Sequence, residues 1–502
     1  MISVLDVLTP TIIFTICSVA TVPLIAFIRK KTNSHQGFFT LVWISIVFVA
    51  AAISIVRLAT EYYGQSQQSF LNVSLTDGNL LSVSSAFLVD SVSVYMSTVY
   101  LIVGFVSCIY GVLYVKVNER LSERYYALML MTIGSVTAAS FSGDLLTLFI
   151  FWEVSAASSC FLIVYRKTRD SLEASIKFLI MVVIASGFVV YGLSIVYGLV
   201  GSLNFWAVRE ALMVLENKQL LVVAFAFIAT GYGIETAIVP FHMWLPDAYT
   251  AAPSSSSALL SAVVDQASYY ILLRILIYIL TPPLILDWPY ALAIFSAVTM
   301  TIGNLFALAQ TNVKRLISYV CIADIGYNLV AITSVTPLGI MGNLYFFLVG
   351  GMTTALSFML VGIFNKAGLK TLEDFSGAGR RFPATSIALT IAMLSFSGVP
   401  PLAGFMAKYM VFTAAIESKI AWLAVVGVLN TVLQTAYFLR LIHYMYAKTP
   451  KKPMEEKVPR KLLVPPYLLV AAIIILGIYP ALVLGLIYPA AEQMGSLTAL
   501  LM

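Results

Sequence analysis

Eight ionisable residues stand inside long apolar stretches of this chain: Glu153, Lys177, Glu235, Asp265, Arg274, Asp324, Lys408 and Arg440. A charge at bilayer depth costs about 3 kcal/mol on insertion scales, so each one implies a function or a partner. Carboxylates and an amine in that setting can pass protons, and carboxylates also suit hard cations such as Na⁺. The chemistry they point to is ion translocation. Glu153 lies deep in its run, in Leu148-Phe149-Ile150-Phe151-Trp152-Glu153, and its side chain is too short to reach water. Lys408 is similarly deep. For Arg440, and for Asp90 at the start of another run, a structural ion pair or a side chain snorkelling to water is the better reading. Asp265 and Arg274 lie on opposite faces of one helix, about 13 Å apart along its axis, and do not pair with each other. Glu173 and Lys177, four residues apart, can pair across one turn, so Lys177 is read equally as that pair or as part of an ion path.

Proline punctuates two of these runs. Glu235 precedes Pro240 and Pro246, and Gly398-Val399-Pro400-Pro401 precedes Lys408. Each Pro removes a backbone donor, and a helix interrupted at membrane depth occurs where the chain lines a cavity or an ion site. His242, between Pro240 and Pro246, reads as a break-stabilising or relay residue rather than a metal ligand. His35 and His443 lie near loops and read as ordinary. The cysteines Cys17, Cys108, Cys160 and Cys321 sit in apolar runs without CxxC spacing and read as packing residues.

The elements that must hold these residues follow from composition. Of 502 residues, 60% are hydrophobic and 10% are charged. That places the chain in a bilayer and excludes nucleic-acid binding, secreted disulfide scaffolds and disordered tails. Fourteen apolar runs are long enough to span, near 9–28, 38–56, 86–115, 124–142, 144–165, 172–200, 219–245, 254–281, 287–310, 315–334, 338–364, 385–414, 418–447 and 462–488. The first run has Arg29, Lys30 and Lys31 after it and no cleavage-site pattern, and is read as a span rather than a signal peptide. With the amino terminus outside, 21 of the 29 Lys and Arg residues fall in inner loops and four outside, Arg57, Arg209, Lys218 and Lys419. Both termini are then outside, in a multi-pass protein of the cell membrane. The net charge of +6 reflects this topology and not an anionic partner. Asn72-Val73-Ser74 in an outer loop fits a glycosylation pattern that often arises by chance. The polar connections near 57–85, 201–218 and 448–461 are too short to build a soluble cofactor domain.

The two broken helices are the seventh and twelfth spans, five apart. This suggests that spans four to eight (residues 116–281) are repeated, inverted, as spans nine to thirteen (282–447), a recurring transporter architecture. Three spans (1–115) precede the repeats, and a basic loop with a last span (448–502) follows. On this register Glu153 corresponds to Asp324 and the Glu235 helix to the Lys408 helix, with charges at matching positions in both halves.

Six motifs in order now carry a resemblance over residues 86–447: Phe151-Trp152-Glu153; Leu172-Glu173-Ala174 with Lys177-Phe178; Pro240-Phe241-His242-Met243-Trp244-Leu245-Pro246-Asp247-Ala248; Ser257-Ala258-Leu259-Leu260-Ser261; Lys314-Arg315-Leu316-Ile317-Ser318-Tyr319 with Gly326-Tyr327; and Gly398-Val399-Pro400-Pro401-Leu402-Ala403-Gly404-Phe405 with Lys408. The chain resembles the antiporter-like subunits: the large subunits of Mrp sodium/proton antiporters and the pumping subunits of NADH:quinone oxidoreductase and membrane-bound hydrogenases. The resemblance implies an all-α polytopic fold of fourteen helices with two inverted five-helix repeats. It further implies H⁺ or Na⁺ as the transported ion, no cofactor in this chain, and membrane partners joined to a peripheral redox module. Archaeal complexes with a hydrogenase or sulfur-reducing module are the most similar type it suggests.

The departures from the family matter as much. Pumping relatives carry a lysine at the position of Glu235, a lysine at Gln266 beside the unusual Asp265, a histidine at Asp324, and a His and Lys at Gly350 and Thr354. Only Glu153 and Lys408 of the central polar line are as the family has them. Two carboxylates facing each other share a proton or hold a cation between them. The chain is therefore expected to be an ion-translocating subunit using Glu153, Lys177, Glu235, His242, Asp265, Asp324 and Lys408. The alternative is a degenerate copy that keeps the fold and a coupling role without a complete path.

Overall fold

The computed structural model describes residues 2–31, 36–64, 71–74, 86–117, 119, 121–214, 219–279, 287–450 and 459–499. Lys218 and four of the 21 inner-loop basic residues, Arg120, Lys451, Lys452 and Lys457, lie outside these.

In a bilayer every backbone donor and acceptor must be satisfied within the chain, and the apolar runs accordingly form helices. In order these are α1 (Val4–Lys31), α2 (Gln36–Gly64), α3 (Ser91–Tyr114), α4 (Ser122–Ser140), α5 (Leu145–Val164), α6 (Arg169–Val200), α7 (Phe205–Val214), α8 (Gln219–Glu235), α9 (Trp244–Ala251), α10 (Ser254–Leu259) and α11 (Asp265–Arg274). The second half holds α12 (Trp288–Ala309), α13 (Val313–Ser334), α14 (Pro337–Lys366), α15 (Ala378–Arg381), α16 (Pro383–Phe396), α17 (Ala403–Glu417), α18 (Ala421–Ala447), α19 (Val464–Ile478) and α20 (Ala481–Ala499). Two π-helical turns, Leu260–Val264 and Ile275–Ile279, flank α11 and make one rod of residues 254–279. Among the described residues eleven helices are long and apolar enough to cross a membrane. The other three expected spans are α4 and the interrupted pairs α8/α9 and α16/α17. The α10–α11 rod, α13 and α14 form the interior, while α1 and α2 turn most of their surface outward.

Several details differ from the sequence expectation. The last span does not run to residue 488: α19 stops at Ile478, and after Tyr479-Pro480 the separate helix α20 packs on α3 and α14. Pro480 has no N–H to continue α19. The connection near 201–218 contains α7. An antiparallel hairpin, β1 (Leu71–Ser74) with β2 (Ala86–Val89), pairs Leu71 with Val89 and Ser74 with Ala86, so the backbone of Asn72 lies in a strand.

The two halves repeat one another in backbone detail. Asp144 caps α5 by accepting from Thr147 N (2.7 Å), and Asn312 caps α13 by accepting from Arg315 N (3.1 Å). Leu145 N donates to Leu203 O (3.0 Å) and Val313 N to Lys370 O (3.0 Å). Thr168 and Thr336 cap α6 and α14 in the same way. All of these caps are 168 residues apart.

The breaks repeat as well. α8 and α16 both end in a Schellman motif, in which a residue with positive φ turns the chain back onto the last helical carbonyls. Ala237 (φ 54°) plays that part after α8, and Gly398 (φ 64°) after α16. Ile238 N donates to Gly233 O (2.9 Å), and Val399 N to Leu394 O (3.0 Å), 161 residues on. Pro400 and Pro401 fill the connection before α17. Pro246 contributes no break: it sits in the first turn of α9, where its missing N–H would have had no intrahelical partner.

Candidate functional site

The first break leaves a small cavity of about 20 Å³ walled by Trp152, Phe178, Glu235, Trp244, Tyr249 and Asp265 among others. Glu235 is the last residue of α8, so the Schellman turn fixes its carboxylate against this space. Trp152 is the polar side chain set against it, but neither carboxylate oxygen completes a hydrogen bond. Glu153, half-buried on α5, accepts from Ser186 Oγ (2.7 Å) and is close enough to Glu235 for the two carboxylates to repel. On the other side of the cavity Tyr249 O–H donates to Asp265.

The second break leaves a smaller cavity, about 10 Å³, lined by Asp324, Phe346, Gly350, Phe396, Gly404 and Lys408 among others. Gly404 is required by the crossing of the two arms, since a Cβ there would lie 1.9 Å from Ser395 O. At Gly350, where the resemblance expects a histidine, the Phe346 ring lies 3.1 Å from where a Cβ would stand. Both oxygens of Asp324 are buried without a hydrogen-bond partner. Lys408 Nζ donates to Gln434 Oε1 (2.6 Å) and Thr431 Oγ1 (3.4 Å) and lies 4.0 Å from the centre of the Tyr327 ring. Asp324 interacts electrostatically with Asp265 on one side and Lys408 on the other. The charges thus form one line in the order Glu153, Glu235, Asp265, Asp324, Lys408.

The repeat relates the two cavities to each other. Phe178 and Phe346 are 168 residues apart, like the caps of their helices, and each lines its own cavity. On the same spacing Asp324 matches Ala156, a residue of the first cavity wall, while Glu153 matches Cys321. On the spacing of the breaks Glu235 matches Phe396, which lines the second cavity, and Lys408 matches Asp247. The expectation of charges at matching positions is therefore corrected. Each half keeps one carboxylate without a hydrogen-bond partner in its cavity, but on a different helix: Glu235 on the broken helix in the first half and Asp324 on α13 in the second, with Asp265 a second carboxylate in the first cavity, bonded by Tyr249. The cap spacing pairs α5 with α13 and α6 with α14, and it carries a one-turn offset between Glu153 and Asp324 that counting spans does not give.

Not every expected residue joins the line. Lys177 is half-exposed and pairs with Glu173 (2.9 Å) and Asp247 (2.9 Å), and Asp247 also meets Arg315 (2.8 Å). Exposed pairs contribute little, so Lys177→Ala should leave ion translocation and assembly within about twofold of the parent, read in vesicles and by complex purification. His242 sits in the short turn between Pro240 and α9, its ring stacked on Phe306 at 6.1 Å, and lines neither cavity. Arg440 donates to Gln310 O (3.0 Å), a structural contact as expected. Asp90 does not reach water: it is fully buried and ion-paired with the equally buried Arg274 at 3.1 Å. Gln266 and Thr354 both donate to Ser261 O, and the Gln266 amide nitrogen lies 3.9 Å from where a Cβ of Gly350 would stand. Sequence reasoning missed Tyr249, Ser186 and Gln434, and gave Tyr327 no role although it stands in the Gly326-Tyr327 motif one turn after Asp324. Among the described residues no three His, Cys, Asp or Glu side chains lie together as a metal site.

Comparison with known proteins agrees with this architecture. Residues 142–434 match the family described as NADH:quinone oxidoreductase/Mrp antiporter, transmembrane. Subunit N of the F(420)H(2) dehydrogenase of Methanosarcina mazei is 31% identical over 79% of this chain and 83% of its own length. NADH-quinone oxidoreductase subunit N of Trichlorobacter lovleyi is 29% identical over 90% of this chain and 89% of its own. Among solved structures, a chain of the membrane-bound sulfane sulfur reductase, an archaeal respiratory membrane complex, superposes with a TM-score of 0.84 at 24% identity, covering 97% of this chain and 98% of that one. A chain of the Mrp complex of a Dietzia species gives 0.84 at 20% identity, covering 99% and 100%; these two likenesses show the fold.

Proposed function

Because this chain belongs to the NADH:quinone oxidoreductase/Mrp antiporter family, we propose that it is an ion-translocating membrane subunit of a multi-subunit respiratory or Mrp-type complex. The observation that carries this reading is the line of five buried or half-buried charges, with an unpartnered carboxylate facing a cavity in each half. A structural core would pair such groups or omit them. Glu153, Glu235, Asp265, Asp324 and Lys408 are the path, and Tyr249 donates to Asp265 on the wall of the first cavity. The transported ion is H⁺ or Na⁺. The aromatic walls around Glu235 supply few oxygen ligands, which favours a proton. Redox chemistry or antiport in partner subunits drives the movement, and the chain itself holds no cofactor. Basic loops inside, in the cell membrane, put the amino terminus outside, and fourteen crossings put the carboxyl terminus there too, with the two five-span repeats inverted.

The same aromatic lining is what favours the other reading, a copy that couples its neighbours without a complete path. Glu235→Gln separates the two. In the assembled complex, reconstituted in vesicles, it should reduce ion translocation by about tenfold or more while leaving assembly unchanged. Full translocation with both Glu235→Gln and Asp324→Asn in place would leave only the coupling role.

A further inference from the structure

Lys408 and Asp324 face the same cavity, yet they are not paired, although opposite charges at that depth attract strongly. The amine is held elsewhere. Its hydrogen-bond partners are neutral and come from one face of α18: Gln434, fully buried, and Thr431 one turn away. Below it lies the ring of Tyr327, also fully buried, whose π face attracts a cation. Tyr327 and Asp324 are three residues apart on α13 and so share one face of that helix, with a rise of about 4.5 Å between them. The amine therefore sits one turn along α13 from the carboxylate. The lysine stem passes Gly398, its Cδ being 3.4 Å from where a Cβ would stand, so no side chain blocks it at the break.

We propose that Gln434 is a positioning residue that holds the Lys408 amine at a neutral station, and that turnover carries the amine between Gln434 and Asp324. The ion pair with Asp324 then forms and breaks once per cycle, and the charge seen by Asp265, the next carboxylate along, changes with it. This rests on the translocation reading, but its test reads the side chains directly. No bond is made or broken beyond hydrogen bonds, and the side-chain movement spans one helical turn.

The experiment is infrared difference spectroscopy on the assembled complex, with the Asp324 carboxyl absorption assigned by its loss in Asp324→Asn. In Gln434→Leu the neutral station is gone and the amine rests on Asp324, so the absorption shifts to that of an ion-paired carboxylate, and translocation falls about tenfold. In Gln434→Glu a counter-charge keeps the amine at the far station, so translocation falls while the Asp324 absorption stays as in the parent. If Gln434→Leu does not assemble, Gln434→Met, similar in volume and lacking the acceptor, gives the same reading. An Asp324 absorption that is unchanged in the Leu or Met variant, or that shifts equally in the Glu variant, overturns the proposal. Parental translocation in Asp324→Asn would instead overturn the ion path while leaving the two stations readable.

Discussion

Lys408→Ala should reduce ion translocation by about a hundredfold in the assembled complex, measured as ion uptake into vesicles during turnover, with assembly preserved. The lysine is the one basic residue in the five-residue line, and its amine is the mobile charge that Asp324 sees across the second cavity. Without it the carboxylates of the first half have no opposite charge to answer. The fold should tolerate the change, because removing a buried ammonium also removes the cost of burying it, which offsets the lost packing of its stem. Lys408→Arg should be nearly as inactive: a planar guanidinium fork does not match the single carbonyl of Gln434 and the ring face that receive the compact ammonium. Translocation at half the parental rate or more in the alanine variant would remove Lys408 from the path.

Asp90→Ala should destabilise the protein by about 3–5 kcal/mol, read as a lower thermal unfolding midpoint of the purified complex, because it strands a buried charge. Both partners of the Asp90–Arg274 pair are fully buried, at 0% exposure each. Asp90 also caps α3 and accepts from Tyr278 O–H, while Arg274 lies over the rings of Tyr278 (4.8 Å) and Tyr270 (5.5 Å). The pair ties α3 to the far end of the α10–α11 rod, and that rod carries Asp265. The effect should depend on the uncompensated arginine, so Asp90→Ala combined with Arg274→Met should recover part of the loss. If the double variant is less stable than Asp90→Ala alone, the cost lies in packing and not in the stranded charge.

Both substitutions probe residues that were visible as charges in apolar runs, yet their roles parted only in three dimensions. Arg274 and Lys408 look alike in the sequence, each a base deep in a span. Arg274 finds its counter-charge on α3, 184 residues away, and is locked. Lys408 finds a neutral amide on α18 and stays free of the carboxylate it faces. Lys177 looked like a third member of the group but emerges at the surface, because the α6 face that carries it points outward beside Asp247. Periodicity within one run gives a residue's depth and face, but not what a distant run places opposite it.

The membrane setting, the helical class, the two breaks and the family motifs were legible in the sequence, because lipid and proline act on the chain locally. A run of about twenty apolar residues must be a helix in a bilayer, and a proline in the interior of such a run marks where the helix loses a backbone donor. The tertiary structure alone decided which charges meet. It set the one-turn offset that matches Asp324 to the wall position of Ala156 rather than to Glu153, and it placed the unpartnered carboxylate of each cavity on a different helix. It also left Asp324 and Lys408 apart across the second. The physical reason is that a carboxylate's state depends on atoms within a few ångströms, and those atoms come from helices up to two hundred residues distant, brought together only by packing.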